Sequence, residues 1–350
     1  MAGEPVTMEQ INATVQRTGG KAASGRQADE LLSALRAFVA QNEDPARSPN
    51  LADESPDDLS PLIGVLADPK LEDNELLMLH LLKVFKVLSR KYENRLDFGQ
   101  PGCEAVVRVL KRVPSPTVSA EGCNVVLNIC YEKVNVLAIL EAGGVSALVM
   151  RLAEDDRDLQ ANAAGALQSI TFQEQGRAIA RDAGAVPLIA ALLDHTDEKI
   201  RTRAVGALHN ISTDDESIRI IRRQGGIPLL VEMLGAPSHA ICGSAVGALQ
   251  NISREVQSSH EILELEGVGP LTDLLFATDV QAQVAAAGAL LNIFGHPSED
   301  EGELTPEAAL ENIAAPSRQA MRKLLSTSLA LGMAYDGVGW DEPFGKIEPV

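Results

Sequence analysis

Five six-residue segments of similar sequence recur along the chain at one fixed interval. They begin at residues 124, 165, 206, 247 and 288 and read NVVLNI, GALQSI, GALHNI, GALQNI and GALLNI. Their fifth residues, each 41 positions after the last, are Asn128, Ser169, Asn210, Asn251 and Asn292. A period of about 40–47 residues is typical of stacked helical repeats, in which each repeat packs only against its neighbours. The sequence therefore predicts an elongated all-α array that presents one extended surface.

The composition agrees with closely packed helices and restricts the class of partner. Hydrophobic residues make up 45% of the chain but aromatic residues only 3%, so the core is predicted to be aliphatic. The net charge of −19 disfavours binding to nucleic acids or anionic membranes and favours a basic partner. Neither a secretory signal nor about 18 uninterrupted apolar residues is found, so we expect a cytoplasmic protein, with a cytoskeletal or ciliary location as the narrower option.

A second phrase recurs before each long helix and combines glycine with proline. Glycine permits the left-handed turn that ends one helix, and proline suits the first turn of the next. The phrase therefore predicts a short helix, a glycine turn and a middle helix in each repeat. It reads AGGVSAL at Ala142, AGAVPLI at Ala183, QGGIPLL at Gln224 and EGVGPLT at Glu266, with weaker versions at Ser60 and Pro101.

These patterns divide the chain into four parts. The N-terminal part has a capping box between Thr7 and Gln10 and a predicted amphipathic helix over 27–41, with Leu31, Leu35 and Val39 on one face. The predicted parts are an N-terminal helix and acidic linker (1–58), a repeat array (59–297), an acidic insertion with a C-terminal capping helix (298–334) and an irregular tail (335–350).

At these residues the chain resembles the armadillo-repeat family. The resemblance rests on the 41-residue unit, on the turn phrase at Gly225–Leu230 and on the phrase at Ala248–Ile252, and it is strongest from residue 141. It implies an armadillo-type right-handed α-solenoid of about six three-helix repeats with flanking tails. The family includes adhesion scaffolds, nuclear-import receptors, ubiquitin-ligase adaptors, chaperones and ciliary components, so the fold alone does not choose a function.

The resemblance also implies a binding groove, because the long third helices of armadillo proteins line a concave face. Their recurring asparagine often bonds the main chain of an extended peptide, and a carboxamide offers both a donor and an acceptor for this purpose. The alternative is that these asparagines bond only within their own repeats. The matching residues here are Asn128, Asn210, Asn251 and Asn292, with Ser169 in one repeat.

Side chains near this row are candidates for specificity. Arg203 and Arg254 lie one or two turns from the asparagines and suit acidic side chains of a partner. Tyr131 and Phe172 are either exposed anchors or covers for the seam between helices. Further along the chain, Trp340 and Phe344 form an aromatic pair in the tail, which either docks a partner or folds back on the last helix.

The residue four positions before the asparagine distinguishes subfamilies. Nuclear-import receptors resemble this pattern but carry tryptophan there, whereas this chain has Asn124 followed by four glycines. Import-receptor function is therefore disfavoured. The glycines predict a smooth trough that admits a helix or another backbone, and the alternative is tight packing within the protein. The glycines are Gly165, Gly206, Gly247 and Gly288.

Patterns for catalysis or metal binding are not found in the sequence. The chain lacks a P-loop, a GxSxG segment and an HExxH segment, and its histidines are scattered. We therefore expect no enzyme activity, no cofactor and no metal. The predicted function is a protein-interaction scaffold that binds an extended peptide or helix within a hetero-complex, such as a ciliary axoneme. The alternative is an adaptor for a ubiquitin ligase or chaperone acting in trans.

Overall fold

The computed structural model describes residues 5–18, 26–53, 55–295 and 316–320, and these residues form helices and turns without strands. The all-α prediction is confirmed. Residues 316–320 are helical, and three short 3₁₀ segments lie at Pro45–Arg47, Pro69–Leu71 and Leu192–Asp194. The α-helices are α1 (Met8–Thr18), α2 (Arg26–Asn42), α3 (Pro49–Ala52), α4 (Ser60–Leu66), α5 (Glu75–Leu88), α6 (Tyr92–Arg112), α7 (Pro116–Ile129), α8 (Lys133–Glu141), α9 (Gly144–Leu152), α10 (Arg157–Thr171), α11 (Glu174–Asp182), α12 (Ala185–Ala191), α13 (Glu198–Ile211), α14 (Asp215–Arg223), α15 (Gly226–Met233), α16 (His239–Ile252), α17 (Val256–Glu264), α18 (Val268–Leu274) and α19 (Val280–Gly295).

The chain divides into two compact units between Ala183 and Gly184. In the first unit, the last helices of successive repeats pack side by side in the order α5, α7 and α10. Helix α2 packs on α5 and so extends this layer towards the N-terminus. In the second unit, α13, α16 and α19 form the corresponding layer. Within each unit, the last helices of successive repeats therefore bury one another.

Glycine turns join the first and middle helices as the recurring phrase predicts. Gly143, Gly184 and Gly225 have φ angles of 70°, 78° and 69°, which is the left-handed region that favours glycine. In the following repeat, Glu266 adopts φ 56° at the matching position. An L-residue with a Cβ is strained there, so this turn departs from the pattern of the others.

The turn of the repeat that contains Pro101 lies earlier in the chain than the weaker phrase predicts. Helix α6 bends at Gly99, whose φ is 56°, so the turn of this repeat lies two residues before Pro101. Pro101 lies in the first turn of the helical segment after the bend. Backbone N–H groups in a first turn have no acceptor within the helix, so the missing N–H of proline costs no hydrogen bond there.

The core is aliphatic, as its composition predicts, with a small aromatic cluster in the first unit. Phe85 and Phe98 meet edge to face, with ring centroids 5.2 Å apart. The leucine and isoleucine of the recurring phrase are buried in every repeat of the second unit, which confirms the predicted stripe. These residues are Leu208, Ile211, Leu249, Ile252, Leu290 and Ile293.

The N-terminal helices are tied to the first repeats by specific hydrogen bonds. The predicted capping box forms, because the Thr7 N–H donates to Gln10 Oε1 at 3.1 Å and the Gln10 N–H donates to Thr7 Oγ1 at 3.4 Å. In α2 the buried position falls on Phe38 rather than on the half-buried Val39. At the end of α2, Arg90 Nη1 donates to the carbonyl oxygen of Asn42 at 2.6 Å.

A buried ion pair joins the acidic stretch after α2 to the residues between α5 and α6. Lys91 Nζ lies 3.0 Å from Asp57 Oδ2, and both side chains are at least nine-tenths buried. Asn94 Nδ2 also donates to Asp57 Oδ2, at 2.8 Å. The linker is thereby anchored on the first repeats at Asp57.

No single helix of the described chain is both long and apolar enough to cross a bilayer.

We predict that Glu266→Gly stabilises the second unit. Glycine removes the Cβ clash of the left-handed turn, so the free energy of unfolding should rise by about 0.5–1 kcal/mol in urea titrations. Gly225→Ala is the matched control at the equivalent turn, and it should lower the free energy of unfolding by about 1–2 kcal/mol. A Glu266→Gly variant of unchanged or lower stability would contradict this account of the turn.

Candidate functional site

Asn251 directs its amide hydrogens at the repeat that precedes it. Its Nδ2 lies 3.1 Å from Ser212 Oγ and 3.4 Å from the carbonyl oxygen of His209. The Ser212 hydroxyl itself donates to that same carbonyl, at 2.7 Å. Both partners of Asn251 can therefore only accept, which determines which end of the carboxamide carries nitrogen. The carbonyl oxygen Oδ1 consequently points away from these bonds.

The same arrangement occurs at Asn292 and in part at Asn128. Asn292 Nδ2 lies 3.1 Å from Ser253 Oγ and 3.0 Å from the carbonyl oxygen of Gln250. In the first unit, Asn128 Nδ2 lies 3.1 Å from Ser89 Oγ. In all three repeats the serine stands 39 residues before the asparagine, at the end of the preceding repeat's last helix.

Ser169 breaks the row together with its partner position. The residue 39 positions before it is Cys130, whereas the four asparagines have a hydroxyl residue at that distance: Ser89, Thr171, Ser212 and Ser253. A thiol accepts hydrogen bonds only weakly, so an asparagine here would lose its serine partner. Ser169 instead donates its hydroxyl to the carbonyl oxygen of Leu127 at 3.4 Å. The two substitutions coincide in one repeat, as expected if the serine and asparagine act as a pair.

The bonds of Asn128, Asn251 and Asn292 match neither interpretation of the asparagine row. Their amide hydrogens bond the preceding repeat rather than their own repeat. A groove-facing role for Asn128 is wrong, because its side chain is fully buried. Asn210, Asn251 and Asn292 are half-buried.

The predicted glycine trough is also wrong where its surroundings are described. A Cβ on Gly247 would lie 2.5 Å from the His209 ring, and a Cβ on Gly288 would lie 2.6 Å from Gln250 Nε2. The space over each glycine is therefore filled by the side chain just before the preceding repeat's asparagine. Tight packing within the protein, the alternative interpretation, accounts for these glycines.

His209 is held as a neutral imidazole by this packing. Burial lowers the pKa of His209 to about 4, well below its ordinary value of 6.5. At neutral pH the ring therefore contributes no charge to this surface and packs on Gly247 as an uncharged group.

Tyr131 covers a seam between helices. Its ring centroid lies 5.9 Å from the guanidinium of Arg95, which lies 5.7 Å from the ring of Tyr92. Arg95 also pairs with Glu132, with Nε 2.8 Å from Oε1. This cluster supports the covering role of Tyr131 over the anchor role. Phe172 is half-buried at the end of α10.

Arg254 is engaged within the protein. Its Nε donates to the carbonyl oxygen of Asn251 at 3.0 Å, and its Nη2 donates to that of Thr213 at 2.9 Å. Its Nη2 also lies 3.5 Å from Asp215 Oδ1, and its side chain is 44% exposed, so a contact of Arg254 with an acidic group of a partner stays a prediction. Arg203 is half-buried, and Trp340 and Phe344 lie outside the described residues.

A second surface lies between the first helices of adjacent repeats and differs between the units. Between α8 and α11, Leu137, Leu140 and Ile179 line a shallow, mainly apolar groove of about 410 Å³. Between α14 and α17, a groove of about 540 Å³ is lined mainly by polar residues, among them Arg222 and Glu261. The two grooves therefore suit partners of different polarity.

The described residues hold no metal-binding cluster and no activated thiol. Among them, no group of three or more His, Cys, Asp or Glu side chains is placed to bind a metal ion. Burial raises the pKa of the Cys103 and Cys123 thiols to about 12, so neither is a thiolate at neutral pH.

Comparison with known proteins agrees with this geometry. The family model described as Armadillo/beta-catenin-like repeat matches three consecutive segments, residues 133–172, 173–213 and 214–254. A search of curated protein sequences finds no match to this chain.

Solved structures of designed proteins share the fold. An engineered protein is 28% identical, with a TM-score of 0.60 over 68% of this chain and 96% of its own. A designed armadillo repeat protein is 22% identical, with a TM-score of 0.60 over 67% of this chain and all of its own. Another designed armadillo repeat protein, solved in complex with the peptide (KR)4, is 23% identical, with a TM-score of 0.58 over 67% and 99%.

We predict that Gly247→Ala destabilises the second unit by about 1–3 kcal/mol, because the added methyl group meets the His209 ring. Gly243→Ala is the control on the same helix, where an added Cβ meets nothing within 4 Å. It should stabilise the protein by up to about 1 kcal/mol, the helix preference of alanine over glycine. Adding His209→Ala should relieve part of the Gly247→Ala loss, and strictly additive losses in urea titrations would refute the contact.

We further predict that stability depends on the His209 pKa. Because folding lowers this pKa from 6.5 to about 4, the contribution is complete above pH 6.5 and is lost as the pH falls towards 4. His209→Gln is the matched variant, since glutamine occupies the equivalent position of the next repeat at Gln250. The stability of the native protein relative to this variant should fall between pH 6.5 and pH 4. A pH-independent difference would show that folding does not lower the pKa of His209.

Proposed function

The chain carries armadillo/β-catenin-like repeats in an all-helical solenoid, and from this premise we propose that it is a non-enzymatic scaffold. The binding surface that we propose is the layer of last helices in the second unit, α13, α16 and α19. Its partner is a polypeptide in an extended or helical conformation. The complex of a designed armadillo repeat protein with a peptide supports this proposal by analogy.

The observation that carries the proposal is the row of fixed carboxamides on this layer. The hydrogen bonds to Ser212 and Ser253 hold the side chains of Asn251 and Asn292 in one orientation. A partner therefore meets groups whose conformational entropy has already been lost, which favours binding. Neighbouring helices pack about 8–10 Å apart, and this spacing corresponds to about three residues of an extended chain.

The sequence predicts that each carboxamide of this row both donates to and accepts from the main chain of a peptide, whereas we propose that it only accepts. Since the amide hydrogens of Asn251 and Asn292 are committed to the preceding repeats, their Oδ1 atoms serve as acceptors for N–H groups of the partner. Asn210 and Arg203 complete the proposed surface. Trp340 and Phe344 are kept as a proposed second docking element.

Membership in a particular assembly is a narrower proposal. We propose a structural role in a hetero-complex such as a ciliary axoneme, with a cytoplasmic or cytoskeletal location, because such a role fits the size of the array. An adaptor role for a ubiquitin ligase or chaperone in trans is the alternative. Mass spectrometry of the chains that co-purify from native tissue distinguishes the two.

We predict that a bulky side chain at Ser244 blocks the proposed surface. Ser244 is half-buried and lies two turns before Asn251 on the same face of α16, and Ser244→Trp leaves the asparagine bonds in place. Partner recovery in affinity purification should fall by about tenfold, the effect of losing about 1.4 kcal/mol of binding free energy. Circular dichroism should show unchanged helicity.

Gln224→Trp is the matched control, because Gln224 is exposed at the end of α14 and does not line either groove. This variant should retain the partners of the native protein. If Ser244→Trp retained the same partners in the same amounts, the last helices of the second unit would not be the binding surface.

A further inference from the structure

The last long helix of the second unit, α19, carries a leucine where earlier repeats carry a side chain that contacts the next repeat. His209 lies against Gly247 of the repeat that follows it. Gln250 likewise lies against Gly288. Leu291 stands 41 residues after Gln250 and occupies the same position on α19. Leu291 is therefore directed towards the place that a following helix of the array would take. We call the surface of α19 around Leu291 the end face of the array.

Leu291 is covered more completely than the equivalent residue inside the array. It is only 5% exposed, whereas Gln250 is half-buried although a whole repeat follows it. The described helices that pack most extensively on α19 are α16, α17 and α18, and all three precede it in the chain. The cover over the end face therefore has to come from residues that follow α19.

The chain supplies a helix of suitable length for this cover. Residues 316–320 are helical, and Ser317 is 3% exposed, so this helix begins against packed residues. The sequence pattern predicts that it continues to about Met333. A helix over residues 316–333 is about 27 Å long and α19 is about 24 Å long, so the two helices can pack along their whole lengths.

The distribution of charge favours this helix over the residues that lie between it and α19. Residues 324–333 contain no charged side chain, and neither does α19. Residues 298–315 contain six acidic side chains, and burial of an unpaired carboxylate costs several kcal/mol. The uncharged segment is therefore the one that can be buried on an apolar end face.

We infer that residues 321–333 form a helix that packs on the end face and covers Leu291. Met321, Leu325 and Leu329 are four residues apart and share the side of this helix that meets α19. The layer of last helices in the second unit thereby gains a member after α19.

This contact determines which partners can use the end face. An open apolar end on a repeat array suits a second copy in a head-to-tail contact, and such contacts generate filaments when they do not close into a ring. The segment 321–333 occupies that surface within the same chain, so the end face is not available for stacking of copies. The inference concerns the end of the array and does not depend on the partner surface proposed above.

The test is amide hydrogen–deuterium exchange of the full chain, read by mass spectrometry of its peptides. Peptides within 321–333 should exchange at least about tenfold more slowly than the same sequence in a free peptide, as expected for a packed helix. Leu291→Asp places a carboxylate under this helix and should lower its protection by about tenfold or more. Val280→Asp is the matched control on α19, because Val280 is 58% exposed, and it should leave the protection of 321–333 unchanged.

A second variant separates loss of the contact from unfolding of α19. Leu329→Asp changes only the covering segment, so it should remove the protection of 321–333 while peptides of α13 and α16 stay protected. Free-peptide exchange rates for 321–333 in the native chain would overturn the inference, and so would unchanged protection in both Leu291→Asp and Leu329→Asp. Protection around Leu291 that disappears on about hundredfold dilution would show that a second copy covers the end face instead.

Discussion

The bond between an asparagine and the end of the preceding repeat, made by Asn128, Asn251 and Asn292, is the interaction on which the rest of the structure depends. A single repeat cannot bury its own last helix, so its stability comes from its neighbours. Apolar packing alone would allow neighbouring helices to slide, because hydrophobic contacts have no direction. The bonds of Asn251 to Ser212 and of Asn292 to Ser253 are directional, and they fix the register of α13, α16 and α19.

These bonds also decide the chemistry of the surface. A carboxamide whose N–H groups are bonded to the preceding repeat offers only its oxygen to a partner. The bond that joins the repeats therefore restricts this row to partner groups that donate hydrogen bonds. In the second unit, the glycines beside this row pack against uncharged side chains of the preceding repeat, His209 over Gly247 and Gln250 over Gly288. On α7 of the first unit, Asn124 stands at the position where the second unit has glycine.

The period and the glycine turns were sufficient to predict the helices, because both depend on local chemistry. The turns at Gly143, Gly184 and Gly225 follow from the need for a positive φ. The direction of the asparagine amides was not predicted, because it depends on a residue 39 positions away. The serines that recur at this distance could have indicated the pairing. The role of the glycines could not be predicted, because the sequence of the helix is the same whether the glycines face open solvent or pack against a side chain of the preceding repeat.

The central claim is that the asparagine amides are bonded to the preceding repeat, and side-chain hydrogen exchange measured by NMR tests it most directly. The account predicts that the NH₂ groups of Asn251 and Asn292 exchange slowly in the native protein. Ser212→Ala should accelerate exchange at Asn251 while leaving Asn292 slow, because each serine serves one asparagine. NH₂ groups that exchange in the native protein as fast as those of an exposed asparagine would contradict the account.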